Sequence, residues 1–164
     1  MSENLLKHRI LSGLLPDKKS AKIVMVTGAR QTGKTTLCRD TYSELKYVNL
    51  DAFENREFIN SVSSFNWKRD IGNAVIDEAQ KAPGIFDKLK FAFDEKKISF
   101  TVLLGSSQIL MLKNIRESLA GRVSIFELFP LMMTELNNSR KNHKPLIYSI
   151  LSAKDIKTVL EKEL

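Results

Sequence analysis

The sequence has little of several features that would mark particular protein classes. It contains a single cysteine, Cys38, so no disulfide can form within the chain, which favours a reducing compartment. Its longest apolar runs are far too short to cross a bilayer. The first fifteen residues carry charges among their leucines and show no small-residue cleavage site, which argues against a secretory signal. We therefore expect a cytoplasmic protein with no membrane contact.

Two histidines, His8 and His143, stand alone in the sequence and indicate no transition-metal site. The formal net charge is +7. One interpretation of this charge is affinity for nucleic acid or another polyanion. The other is that the excess lies on solvated helix faces and in a basic tail, because the cations are scattered without a long run. We favour the second interpretation.

The 164 residues, with 43% hydrophobic and 27% charged residues, are typical of one soluble globular domain. We expect an N-terminal helix and linker over 1–20 and a core domain over 21–136. From 137 to 164 the composition turns polar and basic and then amphipathic. This last segment is expected to be a linker and a helix, the start of a missing or truncated C-terminal region.

Short apolar runs alternate with amphipathic segments along the core. Five apolar strands separated by helices predict a parallel sheet covered by helices on both faces, which binds ligands at the carboxyl ends of its strands. The predicted strands are Lys22–Thr27, Tyr47–Leu50, Asn73–Ile76, Phe100–Leu104 and Val123–Leu128. The predicted helices are Asn4–Leu15, Lys34–Leu45, Ile85–Lys97, Leu131–Asn137 and Ile147–Leu164.

A phosphate-binding pattern, G-x-x-x-x-G-K-[ST], follows the first predicted strand and opens a predicted helix. Its two glycines let the backbone curl so that successive N–H groups point at phosphate oxygens. Lys34 would reach the β- and γ-phosphates, and the Thr35 hydroxyl would bind Mg²⁺. Arg30 and Gln31, at the tip, either touch phosphates or face solvent. The candidate nucleotide contacts are Gly28, Ala29, Arg30, Gln31, Thr32, Gly33, Lys34, Thr35 and Thr36.

Two acids, Asp77 and Glu78, end the third predicted strand. Asp77 would hold Mg²⁺, usually through its water shell, and Glu78 would orient or deprotonate the attacking water. Ordinary surface acids are the alternative. The phosphate loop upstream favours the functional interpretation, and a catalytic Glu here favours hydrolysis of a nucleoside triphosphate by water.

Three more polar residues are candidates for catalytic roles. Ser106 and Ser107 follow the fourth strand, where a hydroxyl could sense the γ-phosphate, although a serine there could also cap a helix. Arg122 precedes the fifth strand and could neutralise the transferring phosphoryl group in its own site or in a neighbour's, or be a surface residue. Asp51 and Arg56 follow the second strand, and we expect them to have a structural role, in which they could pair with each other.

Several segments together resemble one family. "VTGARQTGKTTL", "YVNLDAFENREF", "AVIDEAQKAPGIFDKLK", "LLGSSQILML" and "ESLAGRVSIFELFPLMMTEL" occur in this order. Over Ile23–Leu136 the chain resembles the AAA-superfamily ATPases of bacteria and archaea that usually precede a C-terminal domain of unknown function. The resemblance implies a three-layer α/β/α P-loop fold with strand order 5-1-4-3-2, ATP as nucleotide, and Asp77 and Glu78 as the Walker B pair. It also implies a sensor serine in the "GSS" segment, and Arg122 as an arginine that contacts nucleotide or acts as an arginine finger.

These expectations combine into a magnesium-dependent ATPase in which Lys34, Glu78, Ser106, Ser107 and Arg122 are catalytic candidates and Thr35 and Asp77 are metal-binding candidates. Its nucleotide state would be coupled to a partner or to a C-terminal domain, and a homo-oligomer could supply an arginine in trans. One alternative is a nucleotide-binding switch or interaction module without appreciable turnover. A further alternative, supported only by the net charge, is a nucleic-acid-associated ATPase.

Overall fold

The structure, a computed structural model, describes residues 8–106, 113, 115 and 117–136. Its strands are β1 (Lys22–Thr27), β2 (Lys46–Asn49), β3 (Ala74–Asp77), β4 (Phe100–Leu104) and β5 (Val123–Glu127). Its α-helices are α1 (Lys34–Thr41), α2 (Phe53–Ser61), α3 (Trp67–Asp70), α4 (Ile85–Asp94) and α5 (Met133–Leu136). Short 3₁₀ turns occupy Ile10–Gly13, Ser64–Asn66 and Ala79–Lys81.

The five strands form one parallel sheet in the order β2-β3-β4-β1-β5. Counted from the other edge, this is the predicted order 5-1-4-3-2, so the prediction is confirmed. β1 lies inside the sheet and is almost wholly apolar because both of its faces are covered. Ile23 and Met25 belong to one core cluster, whereas Val24 and Val26 belong to the other.

Helices cover both faces of the sheet. On one face α4 buries Ile85 and Leu89 in the larger core cluster. On the other face α1 buries Leu37 and Cys38 in the second cluster. The three-layer α/β/α architecture expected from the alternating sequence is therefore confirmed.

Two helices end earlier than the sequence predicts. The helix that begins at Lys34 was expected to reach Leu45, but α1 ends at Thr41 because the Tyr42 side chain turns into the core. The Tyr42 ring packs 5.3 Å from that of Phe100, and its hydroxyl donates a hydrogen bond of 2.8 Å to the carbonyl of Pro16. The helix predicted over Ile85–Lys97 ends at Asp94, and Lys96 adopts a left-handed φ of 53°.

Other parts of the prediction were wrong or incomplete. An N-terminal helix was expected over Asn4–Leu15. In the part of this segment that the structure describes, residues 8–15, the helical stretch is a 3₁₀ turn at Ile10–Gly13. The helices α2 and α3 were not predicted; α2 buries only Ile59, too little for a clear apolar stripe. The strands β2 and β3 are each displaced by one residue from their expected bounds.

The described residues divide into two compact units. Arg9–Leu131 forms the first, which contains the whole sheet, and α5 belongs to the second. At the start of α5 the Met132 amide donates a hydrogen bond of 3.0 Å to the Glu135 carboxylate. The segment 137–164, with its predicted helix, lies outside the described residues, and the domain bounds stay predictions. In the described part of the chain, no helix has the length and apolar character to span a membrane.

Candidate functional site

A cleft of about 550 Å³ lies at the carboxyl ends of the strands, where ligands bind in sheets of this kind. This size suits a small-molecule ligand. Residues that follow β1, β2, β3 and β4 all contribute to it. The cleft is lined by Arg30, Gln31, Gly33, Lys34, Thr35, Thr36, Asp51, Glu78, Lys81 and Ser106.

The loop between β1 and α1 has the backbone conformation that the glycine pattern predicts. Gly33 has a φ of 91° and Gln31 a φ of 62°, both in the left-handed region. Gly28 has a φ of 149°, and a Cβ atom placed there would overlap the carbonyl oxygen of Leu128. Only glycine therefore fits at the start of the loop. Left-handed turns of this type direct backbone N–H groups into an anion-binding concavity.

The Lys34 ammonium lies inside this loop. Lys34 is the first residue of α1, and only 8% of it is exposed. Its Nζ donates hydrogen bonds to the carbonyls of Gly28, at 3.2 Å, and Ala29, at 2.7 Å. The Thr32 hydroxyl donates to the same Ala29 carbonyl at 3.0 Å. A positive charge and the positive end of a helix thus meet at one place, which suits a polyphosphate.

Next to the loop, Thr35 and Asp77 bring two oxygen ligands together. Thr35 Oγ1 donates a hydrogen bond of 2.7 Å to Asp77 Oδ2, and Asp77 is only 4% exposed. The other carboxylate oxygen, Oδ1, accepts the Glu78 amide at 2.9 Å. A hydroxyl and a carboxylate are ligands that Mg²⁺ accepts. The two residues therefore fit a magnesium ion.

Tyr47 on β2 is a third member of this group, and no motif marks it in the sequence. Its hydroxyl donates a hydrogen bond of 2.8 Å to Asp77 Oδ2, the oxygen that also accepts Thr35. Burial, and then the hydrogen bond to Asp77 and its negative charge, raise the pKa of Tyr47. Tyr47 therefore stays protonated at physiological pH and remains a donor that fixes the carboxylate.

Glu78 lines the cleft one residue further along the chain. Its backbone is left-handed, with φ 56° and ψ 42°. A residue other than glycine in this region stores about 1–3 kcal/mol of strain, and such residues cluster at functional sites. The side-chain amide of Gln80 donates a hydrogen bond to its carboxylate oxygen Oε2. The turn thus separates the two acids, with Asp77 buried and Glu78 facing the cleft.

Most of the chain is similar in sequence to known proteins. A sequence profile described as an AAA domain matches residues 20–137. The chain belongs to this AAA domain family. It is 31% identical over 121 residues to two uncharacterized proteins, Mb2031c of Mycobacterium bovis and Rv2008c of Mycobacterium tuberculosis. Each match covers 73% of this chain and 27% of the relative, so the chain spans about a quarter of their length.

A solved structure with a similar chain path is the crystal structure of Saccharomyces cerevisiae RIF2. The TM-score is 0.46 at 17% sequence identity, over 87% of this chain and 64% of RIF2.

The AAA domain brings most of the predicted site residues together. Lys34, Thr35 and Glu78 line one cleft, and Asp77 accepts a hydrogen bond from Thr35 beside it. Ser106 is half-buried and lines the same cleft, whereas Ser107 lies outside the described residues. Arg30, Gln31 and Thr36 also line it. Their individual roles stay predictions.

Arg122 is not brought to the site of its own chain. It directly precedes β5, and its carbonyl accepts the Ile23 amide at the start of β1, at the sheet edge opposite the cleft. There its guanidinium pairs with Asp94. This position does not fit a nucleotide contact in its own AAA domain, and the roles in a neighbour's site or at the surface stay predictions.

Asp51 and Arg56 were expected as a pair, but their side chains have other partners in the structure. Arg56 donates to the backbone carbonyls of Leu50 and Asp51, each at 2.8 Å, so its role is structural. The Asp51 carboxylate pairs instead with Lys81, and both of these residues line the cleft. Lys81 was missed because it carries no motif signal beyond lying three residues after Glu78.

Proposed function

We propose that this AAA domain binds ATP with Mg²⁺ and hydrolyses the bond to the γ-phosphate. The observation that carries the proposal is the hydrogen bond of 2.7 Å between Thr35 and Asp77, because it joins the phosphate loop to the acidic end of β3. A loop for phosphates and an acid for the metal are thereby adjacent, which phosphoryl transfer to water requires.

Binding is assigned to the loop and to α1. The backbone N–H groups of the loop and Lys34 would hold the phosphates, and Thr35 and Asp77 would hold the metal. Magnesium, when bound, supplies charge neutralisation on the phosphate oxygens. The Tyr47 hydroxyl keeps the Asp77 carboxylate in place. Family membership supports ATP, rather than GTP, as the nucleotide.

Hydrolysis is assigned to Glu78. Its carboxylate faces the cleft, where it would orient the attacking water and accept its proton. The Gln80 amide holds one of its oxygens and so limits the directions in which the carboxylate can point. Ser106, at the end of β4, would sense whether the γ-phosphate is present.

Turnover would drive a change in an attached region or partner. The mycobacterial relatives are much longer than this chain, which spans only 27% of each. We propose that the output acts on a C-terminal domain or on another protein, and that the reaction takes place in the cytoplasm.

Phosphate release by the purified chain tests the proposal. Wild type should release phosphate from Mg-ATP, and Glu78→Gln should bind ATP but release none. Glu57→Gln, an exposed acid on α2, is the matched control and should behave like wild type. Lys34→Ala should lose ATP binding. Equal turnover by the wild type and Glu78→Gln would remove Glu78 from the mechanism.

A second candidate function is a nucleotide-dependent switch with little turnover of its own. It is favoured by the position of Arg122 at the opposite edge of the sheet, since the site of a lone chain then lacks this arginine. The two functions differ in concentration dependence. If the rate of phosphate release per chain rises with protein concentration, the result supports an ATPase assembled from several chains. Tight ATP binding without phosphate release at any concentration supports the switch.

A further inference from the structure

Arg9 joins the phosphate loop to a segment that is distant in sequence. Its guanidinium donates hydrogen bonds to the backbone carbonyls of Thr32, at 2.6 Å, and of Phe129, at 2.5 Å. Thr32 belongs to the phosphate loop, and Phe129 lies just after β5. Arg9 is buried, with 9% of its surface exposed. The Arg9 side chain thus bonds one residue that lies 23 positions further along the chain and another that lies 120 positions further along.

The same two segments also touch directly. The Leu128 amide donates a hydrogen bond of 2.8 Å to the carbonyl of Thr27, immediately before the loop. The Leu128 carbonyl lies so close to Gly28 that a Cβ atom would not fit between them. At the other end of the loop, a Cβ atom on Gly33 would lie 3.6 Å from Arg9 Nη1. Leu128 therefore supports the start of the loop, and Arg9 supports its end.

Support of this kind affects phosphate binding. An amide cradle binds tightly only if its backbone is already held in the binding conformation, because ordering it on binding lowers the affinity. The planar guanidinium has five donors and can bridge two carbonyl acceptors at fixed angles. A lysine ammonium is a compact point charge on a flexible stem and would hold the same two carbonyls less rigidly.

We propose that Arg9 is a positioning residue for the phosphate loop, which it holds against the segment after β5 in the shape that binds phosphates. This inference rests on the proposed function only where nucleotide affinity is the measurement. Arg9 acts through the backbone at Thr32, so its loss should weaken nucleotide binding more than it slows turnover at saturating ATP.

The test compares Arg9→Ala and Arg9→Lys with wild type. Lys88→Ala is the matched control, because Lys88 also donates to backbone carbonyls, at Asn60 and Val62, outside the residues that line the cleft. Calorimetry with Mg-ADP should show affinity reduced about tenfold or more in Arg9→Ala, and less in Arg9→Lys. Lys88→Ala should keep the wild-type affinity even if it lowers the melting temperature.

A second measurement needs no nucleotide. With only seven glycines in the chain, selective ¹⁵N-glycine labelling gives a simple NMR spectrum in which Gly28 and Gly33 report on the loop and Gly84 on the remainder. In Arg9→Ala the order parameters of the two loop glycines should fall from about 0.85 towards 0.6 or lower, with Gly84 unchanged.

The outcomes separate this inference from the proposed function. Affinity within twofold of wild type, together with unchanged loop order parameters, would overturn the role of Arg9. If the wild type binds no Mg-ADP, the proposed function fails, and the glycine order parameters alone decide the role of Arg9. If Arg9→Ala does not fold, Arg9→Lys is judged by the same two measurements.

Discussion

Arg122 and Asp94 form a bidentate ion pair at the edge of the sheet where the strands begin. The Nε–Oδ1 distance is 2.6 Å and the Nη2–Oδ2 distance is 2.9 Å. The hydrogen bond from Arg122 lowers the pKa of Asp94, so the pair stays charged at neutral pH. β5, at about 3.3 Å per residue, places Arg122 roughly 16 Å from the edge that carries the phosphate loop. An Arg122 that contacts nucleotide must therefore come from a second chain.

This geometry predicts that Arg122→Ala lowers ATP turnover only where chains associate. Arginines supplied in trans raise turnover by about 10³–10⁵ in related systems, so the loss should be large at high protein concentration. ATP affinity should not change. Asp94→Ala, which frees the guanidinium without removing it, is the control and should keep turnover. Phosphate release measured over a concentration series checks both variants; equal release by Arg122→Ala and wild type at every concentration would contradict an in-trans role.

The phosphate loop and the two acids at the end of β3 could be predicted because their chemistry is encoded locally. Residues 28–35 form one continuous motif, and Asp77 directly follows a buried apolar run. The sheet order came from the family resemblance, not from periodicity. By contrast, the partner of Asp77 on β2, Tyr47, lies 30 residues away, and tyrosine there has no pattern of its own. Contacts made only by the folded chain leave no local signal.

The open question of where Arg122 acts has a different origin. A glycine turn followed by arginine indicates function, but does not say at which end of the sheet the arginine lies. The direction of the chain supplies that information: in a parallel sheet, a residue that precedes a strand lies at the edge opposite the ligands. Applied to the predicted β5, this rule favours a role for Arg122 outside the site of its own chain.

Gly28→Ala should abolish nucleotide binding and destabilise the fold. The new Cβ atom would collide with the Leu128 carbonyl, and the φ of 149° is one that L-residues rarely adopt. Backbone strain of this kind costs about 1–3 kcal/mol. Gly84→Ala is the control, because Gly84 has a φ of −63° and no atom within 4 Å of its Cβ position. Urea unfolding and Mg-ADP calorimetry check both; wild-type binding by Gly28→Ala would show that the loop does not need glycine there.

Tyr47→Phe should weaken magnesium-dependent nucleotide binding. The change removes one of the two hydroxyls that donate to Asp77 Oδ2 and leaves the other, Thr35. Loss of a partner that orients a metal ligand typically reduces metal affinity 10–100-fold. The measurement is the Mg²⁺ concentration that gives half-maximal ADP binding. Tyr42→Phe, whose hydroxyl bonds the Pro16 carbonyl, is the control and should leave that concentration unchanged. An unchanged midpoint in Tyr47→Phe would mean that Asp77 needs no support from β2.

Cys38 should make the domain less stable in alkali. Burial, and then the negative charge of Asp77, raise the pKa of the Cys38 thiol from 9.0 to about 12. Below pH 9 the thiol is protonated in both the folded and the unfolded chain. Between pH 9 and 12 the unfolded chain loses this proton first, so the free energy of unfolding falls as pH rises, by up to about 1.4 kcal/mol per pH unit.

The variant Cys38→Ala isolates this contribution, because every other titrating group is common to both proteins. Urea unfolding at pH 8, 9, 10 and 10.5 should show a shallower decline for Cys38→Ala than for the wild type, although the alanine protein is less stable at pH 8. Parallel declines would mean that the thiolate is tolerated inside the fold. The thiol should for the same reason resist alkylation at pH 8 until urea unfolds the chain, since the thiolate is the reactive form.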